Sequence, residues 1–286
     1  MVACWKGSHG RSELEAAAND TSDEERSKIA TALLAVAWYR GEGQFTKDEN
    51  MCNMYGSQAF DWLQSKALEP TDDLISAGSV EPKPYALSTL ATTFTAYLLR
   101  DGIGVAVNAE LAAQYMKAAV PYGNLISQFL MAYALCEGEG LDAQDDERGI
   151  QFYRLAAAQG HPTALYNLGV QYLNGEGVQK DETEASMFFK RAAECGYGSA
   201  CAEYGESLYF GRGIPQDYQE SFRYLTEAYE KGEKGPCYLL AFFYLNGDGG
   251  VDVDRQMAKR MMEIAKDSGA ERAITSWEDT FKDIDD

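Results

Sequence analysis

Residues 164–196 read Ala164-Leu-Tyr-Asn-Leu168-Gly-Val-Gln-Tyr172-Leu-Asn-Gly175-Glu-Gly177-Val-Gln-Lys-Asp181-Glu-Thr-Glu-Ala185-Ser-Met-Phe-Phe189-Lys-Arg-Ala192-Ala-Glu-Cys-Gly196. Ala164, Leu168 and Tyr172 are spaced by four, which places them on one helix face. Gly169 sits beside that face, where glycine costs roughly 1 kcal/mol against alanine. Close approach of a neighbouring helix is the compensation the pattern predicts. Gly175-Glu-Gly177 stops this helix, because glycine enters left-handed backbone geometry cheaply. Asp181 has the chemistry of an N-cap for a second helix. That helix carries Ala185, Phe188, Phe189 and Ala192 on an apolar stripe, and Gly196 ends it.

The same pattern recurs along the chain. Gly-x-Gly turns fall at Gly41/Gly43, Gly102/Gly104, Gly138/Gly140, Gly175/Gly177, Gly211/Gly213 and Gly247/Gly249. The second glycines of the last five pairs are 36, 37, 36 and 36 residues apart, and the first interval is 61. Eight residues before each second glycine stands a small residue: Ala35, Ala96, Ala132, Gly169, Gly205 or Ala241. Five residues before it stands a large one: Trp38, Leu99, Leu135, Tyr172, Leu208 or Tyr244. An alanine follows at 15 or 16 residues (Ala59, Ala119, Ala156, Ala192, Ala228, Ala265), and four residues later a glycine in five of six cases. A fixed period of this size marks a repeat array. Each unit is a pair of short helices, A and B, unable to bury its stripes alone, so neighbouring pairs stack into one continuous core.

The stretch 164–196 resembles a Sel1-like repeat, a relative of the tetratricopeptide repeat with a longer turn inside the helix pair. The resemblance covers roughly residues 23 to 270 and is best in the last four units. The first unit departs from it at Gln44-Phe45, where valine is usual, and the second at Thr95, where leucine is expected. The resemblance implies an all-α fold: a right-handed α/α superhelical solenoid of about six helix pairs, serving as an adaptor or scaffold. It supplies no catalytic residue, cofactor site or metal ligand to carry over.

The organisation expected is a leader over 1–22, the solenoid over 23–270, and a capping helix and tail over 271–286. Ser22-Asp-Glu-Glu25 has capping-box spacing, which starts the first A helix near Asp23. The stop glycine of the first B helix is absent, so that helix runs on to about Leu68. A proline-and-acid insertion follows over about 69–84. At the end of the chain, Ala273 to Trp277 repeats the start of an A helix, and Glu278, Asp279, Lys282 and Asp283 give it a polar outer face.

The chain has 286 residues and a formal net charge of −20. Phosphate backbones demand a basic surface, so this charge argues against nucleic acid and against anionic membrane surfaces. It fits a partner with a basic patch, although the same charges also serve solubility. No apolar run approaches the ~18 residues of a membrane span. The first ten residues lack the apolar core of a secretory signal, which points to the cytoplasm, or to a fragment or mature secreted form whose targeting segment is gone. Six cysteines are scattered without a C-x-x-C pair. Cys195 and Cys201 flank an inter-unit turn and are either bridged or, like the rest, reduced thiols acting as small apolar residues.

Chemistry is sparse. His9 and His161 are the only histidines, and His161 follows Gly160 in an inter-unit turn where a structural role is expected. No ligand cluster with metal spacing exists. The glycine turns follow helices rather than strands, which removes the phosphate-loop reading. Partner binding is therefore expected on the concave face lined by A helices. Candidates off the buried face are Tyr97, Tyr133, Asn167, Gln171, Glu203, Glu206, Phe210, Phe242 and Asn246, a mixture of aromatic and acidic residues. The expected function is a non-catalytic scaffold holding a protein or peptide partner of basic character. The alternatives are a secreted or periplasmic binding or inhibitor protein, and an enzyme built on the solenoid, which would need a deep pocket.

Overall fold

The computed structural model describes residues 11–40, 45–72, 86–141 and 143–269. Among these residues it is all-helical. The helices are α1 (Arg11–Ala18), α2 (Glu24–Arg40), α3 (Glu49–Lys66), α4 (Leu87–Asp101), α5 (Ala109–Ala119), α6 (Leu125–Glu137), α7 (Asp146–Ala158), α8 (Pro162–Asn174), α9 (Glu182–Glu194), α10 (Gly198–Phe210), α11 (Tyr218–Glu230), α12 (Cys237–Asn246) and α13 (Arg255–Asp267). From α2 onward they alternate as A and B, so each even-numbered helix is an A helix, and α2 packs on α3, α4 on α5, α8 on α9, α10 on α11 and α12 on α13. The chain is an α/α solenoid of helix pairs divided into two compact units, 1–152 and 153–286.

One turn chemistry builds every pair. The first glycine of each described Gly-x-Gly caps an A helix in the left-handed region, with φ of 70° at Gly102 and 79° at Gly175. Four or five residues after the second glycine comes an Asx residue: Asp48, Asn108, Asp145, Asp181, Asp217 or Asp254. Each side chain accepts from the backbone N–H three residues ahead and so caps its B helix. Each Asx backbone N–H also donates back to the carbonyl of the large residue near the end of helix A: Trp38, Leu99, Leu135, Tyr172, Leu208 or Tyr244. These six bonds span 2.8 to 3.1 Å. Both orphan ends of the helix pair are thereby satisfied within the turn.

The small residues set how close the helices come. Ala35, Ala96, Ala132 and Ala241, and the B-helix alanines Ala59, Ala119, Ala156, Ala192, Ala228 and Ala265, are completely buried. Gly169 and Gly205 are buried in mid-helix, and the Ser221 hydroxyl of α11 donates to the Gly205 carbonyl at 2.7 Å. The second glycine of the turn lies against the first turn of an earlier B helix. A Cβ at Gly213 would overlap the Glu182 carbonyl, and one at Gly140 would overlap that of Ala109.

The first helices show their own local detail. The cap of α2 is Asp23, whose Oδ1 accepts from Arg26 N, while the Ser22 hydroxyl turns back to Asp20 Oδ1 at 2.6 Å. Aspartate is as good a cap as serine, and Asp20 offers the serine a charged acceptor. Residues 11–18 form a helix whose Arg11 guanidinium lies 4.6 Å from the centre of the Trp38 ring. The start of the insertion is tied down: Leu68 N donates to Thr92 Oγ1 at 2.8 Å, and Gln114 Nε2 donates to Asp72 Oδ1 at 2.9 Å. The rest of the insertion (73–85), the Gly41/Gly43 turn and the capping segment 271–286 lie outside the described residues.

Candidate partner-binding face

The nine candidates divide between the units. In the first unit, Tyr97 of α4 is only 6% exposed, so it is packed inside rather than presented. The reason is the burial of α4 on all sides, since every residue from 91 to 99 is buried. Tyr133 of α6 is half-buried. The two rings flank the Arg100 guanidinium at 5.0 and 5.6 Å from their centres, and Arg100 is paired with Asp101. Desolvation of the phenol raises the Tyr133 pKa, and the nearby Glu137 and Glu139 add to the rise.

In the second unit, the other candidates lie on the A helices α8, α10 and α12. Glu203, Glu206 and Phe210 follow one another by three and four residues, so they form a single stripe along α10. The opposite side of that helix, with Ala200, Cys201, Tyr204 and Leu208, is buried. Glu206 Oε2 accepts from Arg212 Nη2 at 2.6 Å, and Glu206 Oε1 accepts from the Tyr238 hydroxyl of α12 at 3.0 Å. Its charge is thus committed to the turn and to the next A helix. Phe242 lies one helical turn beyond Tyr238, half-buried against the core cluster that includes Leu239, Phe243 and Met262. Phe210 is 47% exposed and carries the Arg212 guanidinium 5.2 Å from its ring centre.

Glu203 stands in a different environment. Burial pushes the Tyr166 phenol of α8 up to about 12, with Glu203, Tyr197 and Glu233 adding to the rise. The Tyr166 ring packs on Tyr197 with centres 5.2 Å apart, and Ser199 donates to Glu233 Oε1 at 2.6 Å. The Tyr166 phenol is thus half-buried beside the Tyr197 ring. Two of the remaining candidates are tied locally. Asn167 donates to the Tyr153 hydroxyl at 2.9 Å, and Asn246 to Asp248 at 3.3 Å. Gln171 Oε1 is buried without a hydrogen-bond partner.

Sequence reasoning missed Tyr166, Tyr197, Tyr238, Arg212 and Glu233 on this face. Tyr166 and Tyr238 share the position eleven residues before the second glycine of their turns, a slot that registering the repeats would have flagged. Arg212 and Glu233 carry no such signal.

His161 is structural: its Nδ1 accepts from Ala164 N at 3.2 Å and caps α8, with Pro162 following. Cys52, Cys136, Cys195, Cys201 and Cys237 are free thiols. Two surface hollows occur in this unit, one lined by Arg154, Tyr172, Lys180 and Asp181, the other by Phe222, Arg223, Thr226 and Glu230. Among the described residues no three His, Cys, Asp or Glu side chains gather to hold a metal ion, and no helix is long and apolar enough to cross a membrane.

The family model for the Sel1 repeat matches residues 89–120, 125–161, 162–197, 198–233 and 237–269. The α2/α3 pair lies outside these matches. Among solved structures, the chain is similar to a Sel1 repeat protein from Oxalobacter formigenes, with 25% identity over 85% of each chain and a TM-score of 0.60. It is also similar to c5321, a protective antigen of uropathogenic Escherichia coli displaying an SLR fold, with 21% identity over 87% of this chain and a TM-score of 0.61. This chain spans 48% of that antigen. No curated protein matches it in sequence. With five matched repeats covering more than half of its length, the chain belongs to the Sel1 repeat family.

Proposed function

We propose that the chain is a non-catalytic scaffold whose second unit binds a protein partner of basic character on the face formed by α8, α10 and α12. Sel1 repeat proteins generally mediate protein–protein interaction and are typically non-enzymatic. The observation that carries the reading is the Glu203–Glu206–Phe210 stripe, which sets carboxylates and an exposed phenylalanine on one helix face in a chain of charge −20. Aromatic anchors with a charged surround are the composition of protein-binding surfaces, and the acidic field speeds encounter with a basic partner.

Affinity capture followed by mass spectrometry tests this, comparing the wild type with Glu203→Lys and with Phe210→Ala. A partner retained by the wild type, lost from both variants and released by added salt supports the face. Equal recovery on all three baits rejects it. We further propose a reducing compartment, consistent with the free thiols; titration of accessible thiols in freshly isolated protein tests it, and oxidised cysteines would overturn it.

A further inference from the structure

We propose that α4 is a weak joint built into the unit 1–152, and that its local opening releases the start of the insertion. Nine residues before the second glycine of each turn stands a buried core residue: Leu34, Met131, Leu168, Tyr204 and Leu240 in five pairs, and Thr95 in α4. Thr95 is completely buried, and its hydroxyl has no hydrogen-bond partner. Thr89, 1% exposed on the same helix, has an orphaned hydroxyl as well. A buried hydroxyl that gives up water without gaining a partner opposes folding. Thr92 and Thr93 turn theirs back on the helix itself, donating to the Ser88 carbonyl at 2.6 Å and to the Thr89 carbonyl at 2.8 Å. Such back-bonding weakens a helix slightly, and threonine is a modest helix former to begin with. The Thr93 hydroxyl also lies 2.5 Å from that of Ser127, so the polar seam continues into α6. Four threonines thus leave α4 deeply buried yet poorly held.

The latch is Thr92. Its Oγ1 accepts from Leu68 N at 2.8 Å, just past the end of α3. Thr92 stands three residues from Thr89 and three from Thr95, so the two orphaned hydroxyls bracket the tie within two helical turns. Thr71 N donates to the Gln114 carbonyl at 3.3 Å, and Gln114 Nε2 donates to Asp72 Oδ1 at 2.9 Å. Leu68 is therefore held on α4, while Thr71 and Asp72 are held on α5. When α4 opens, the Leu68 bond breaks and the ties to α5 remain. Elements that move are drawn from the least stable parts of a fold. α4 joins that weakness to the anchor of the one segment that interrupts the repeat period.

Native-state hydrogen exchange on the full chain, read residue by residue by NMR, tests the joint. Amides at the centre of α4 should exchange about tenfold faster than those of α8, where Leu168 fills the slot of Thr95. Thr95→Val removes an orphaned hydroxyl at nearly constant shape. It should slow α4 exchange about tenfold, and the Leu68 amide with it. Thr92→Val cuts the tie, so the Leu68 amide should exchange about tenfold faster than in the wild type. Circular dichroism confirms that both variants are folded. Wild-type α4 amides as protected as those of α8 overturn the joint without recourse to any variant. Unchanged or faster α4 exchange in T95V overturns it as well. Slower α4 exchange with the Leu68 amide unmoved, or a Leu68 amide indifferent to T92V, overturns the release of the insertion.

Discussion

The Gly169 backbone of α8 and the Phe189 ring of α9 leave no room between them for a methyl group: a Cβ on Gly169 would lie 2.5 Å from Phe189 Cε1. Phe189 is 1% exposed, and Tyr166, one turn before Gly169 on α8, packs on it at 5.7 Å between ring centres. Glycine here is a packing residue, and two effects oppose each other when it is replaced. Alanine gains roughly 1 kcal/mol of helix propensity, while overpacking costs about 1–3 kcal/mol. Because the ring is fully enclosed, Gly169→Ala is expected to lower the urea midpoint, and adding Phe189→Leu to restore part of it. A G169A midpoint above the wild type would show that the two helices can separate freely.

Gly213 and Gly232 both have positive φ, of 70° and 95°, yet only Gly213 sits against another backbone. Alanine at either site meets the left-handed penalty of about 1–2 kcal/mol. At Gly213 the new carbon also overlaps the Glu182 carbonyl, so the turn must lift off α9. Nothing lies within 4 Å of the Cβ direction at Gly232. Thermal melts should rank Gly213→Ala well below Gly232→Ala; equal losses would reduce the second turn glycine to its φ alone.

Glu206 holds two partners, Arg212 in the following turn and Tyr238 on α12. Glu206→Gln gives up the charged bond to Arg212, and hydrogen bonds to charged groups are worth about 1.5–3 kcal/mol. The buried Arg212 Nε, already without a partner, makes the site less forgiving. Glu206→Gln should therefore lower the melting temperature. If E206Q is as stable as the wild type, the Arg212–Glu206–Tyr238 network contributes nothing to the fold.

Burial pushes the Cys201 and Cys237 thiols up to about 11. At pH 8 only about one thiol in a thousand is then a thiolate at either site, and both side chains are fully buried. In a Cys4→Ser background, a chromogenic disulfide reagent should modify the half-buried Cys195 quickly, and the buried thiols only on unfolding. Fast modification of Cys201 in the folded protein would contradict its placement in the core.

The Tyr166 and Tyr204 phenols are both raised to about 12, by burial first and then by neighbouring carboxylates. A raised pKa means that the folded state favours the neutral phenol. Its contribution is therefore complete below the ordinary tyrosine value near 10 and is lost as pH rises through 12. Ultraviolet titration should show these two phenols ionising only near pH 12. Tyr166→Phe should flatten the fall in stability between pH 10 and 12, and a variant that falls as steeply as the wild type would count against this account of burial.

The sequence alone determined the period, the two-helix unit, the turn glycines and the alanine contacts, because these depend on residues a few positions apart in the chain. Backbone conformation, capping and helical facing are local physics, and six repetitions made each signal readable. Tertiary structure alone decided which charges are available. Glu206 is committed by Tyr238, 32 residues away, and Glu233 by Ser199, 34 residues away. Tyr97 vanished into the core because α4 is enclosed on every side, which no periodicity within α4 reveals. Contacts about one repeat apart depend on how neighbouring pairs stack, and a few tenths of an ångström in that register decide whether a carboxylate meets a donor or faces a partner.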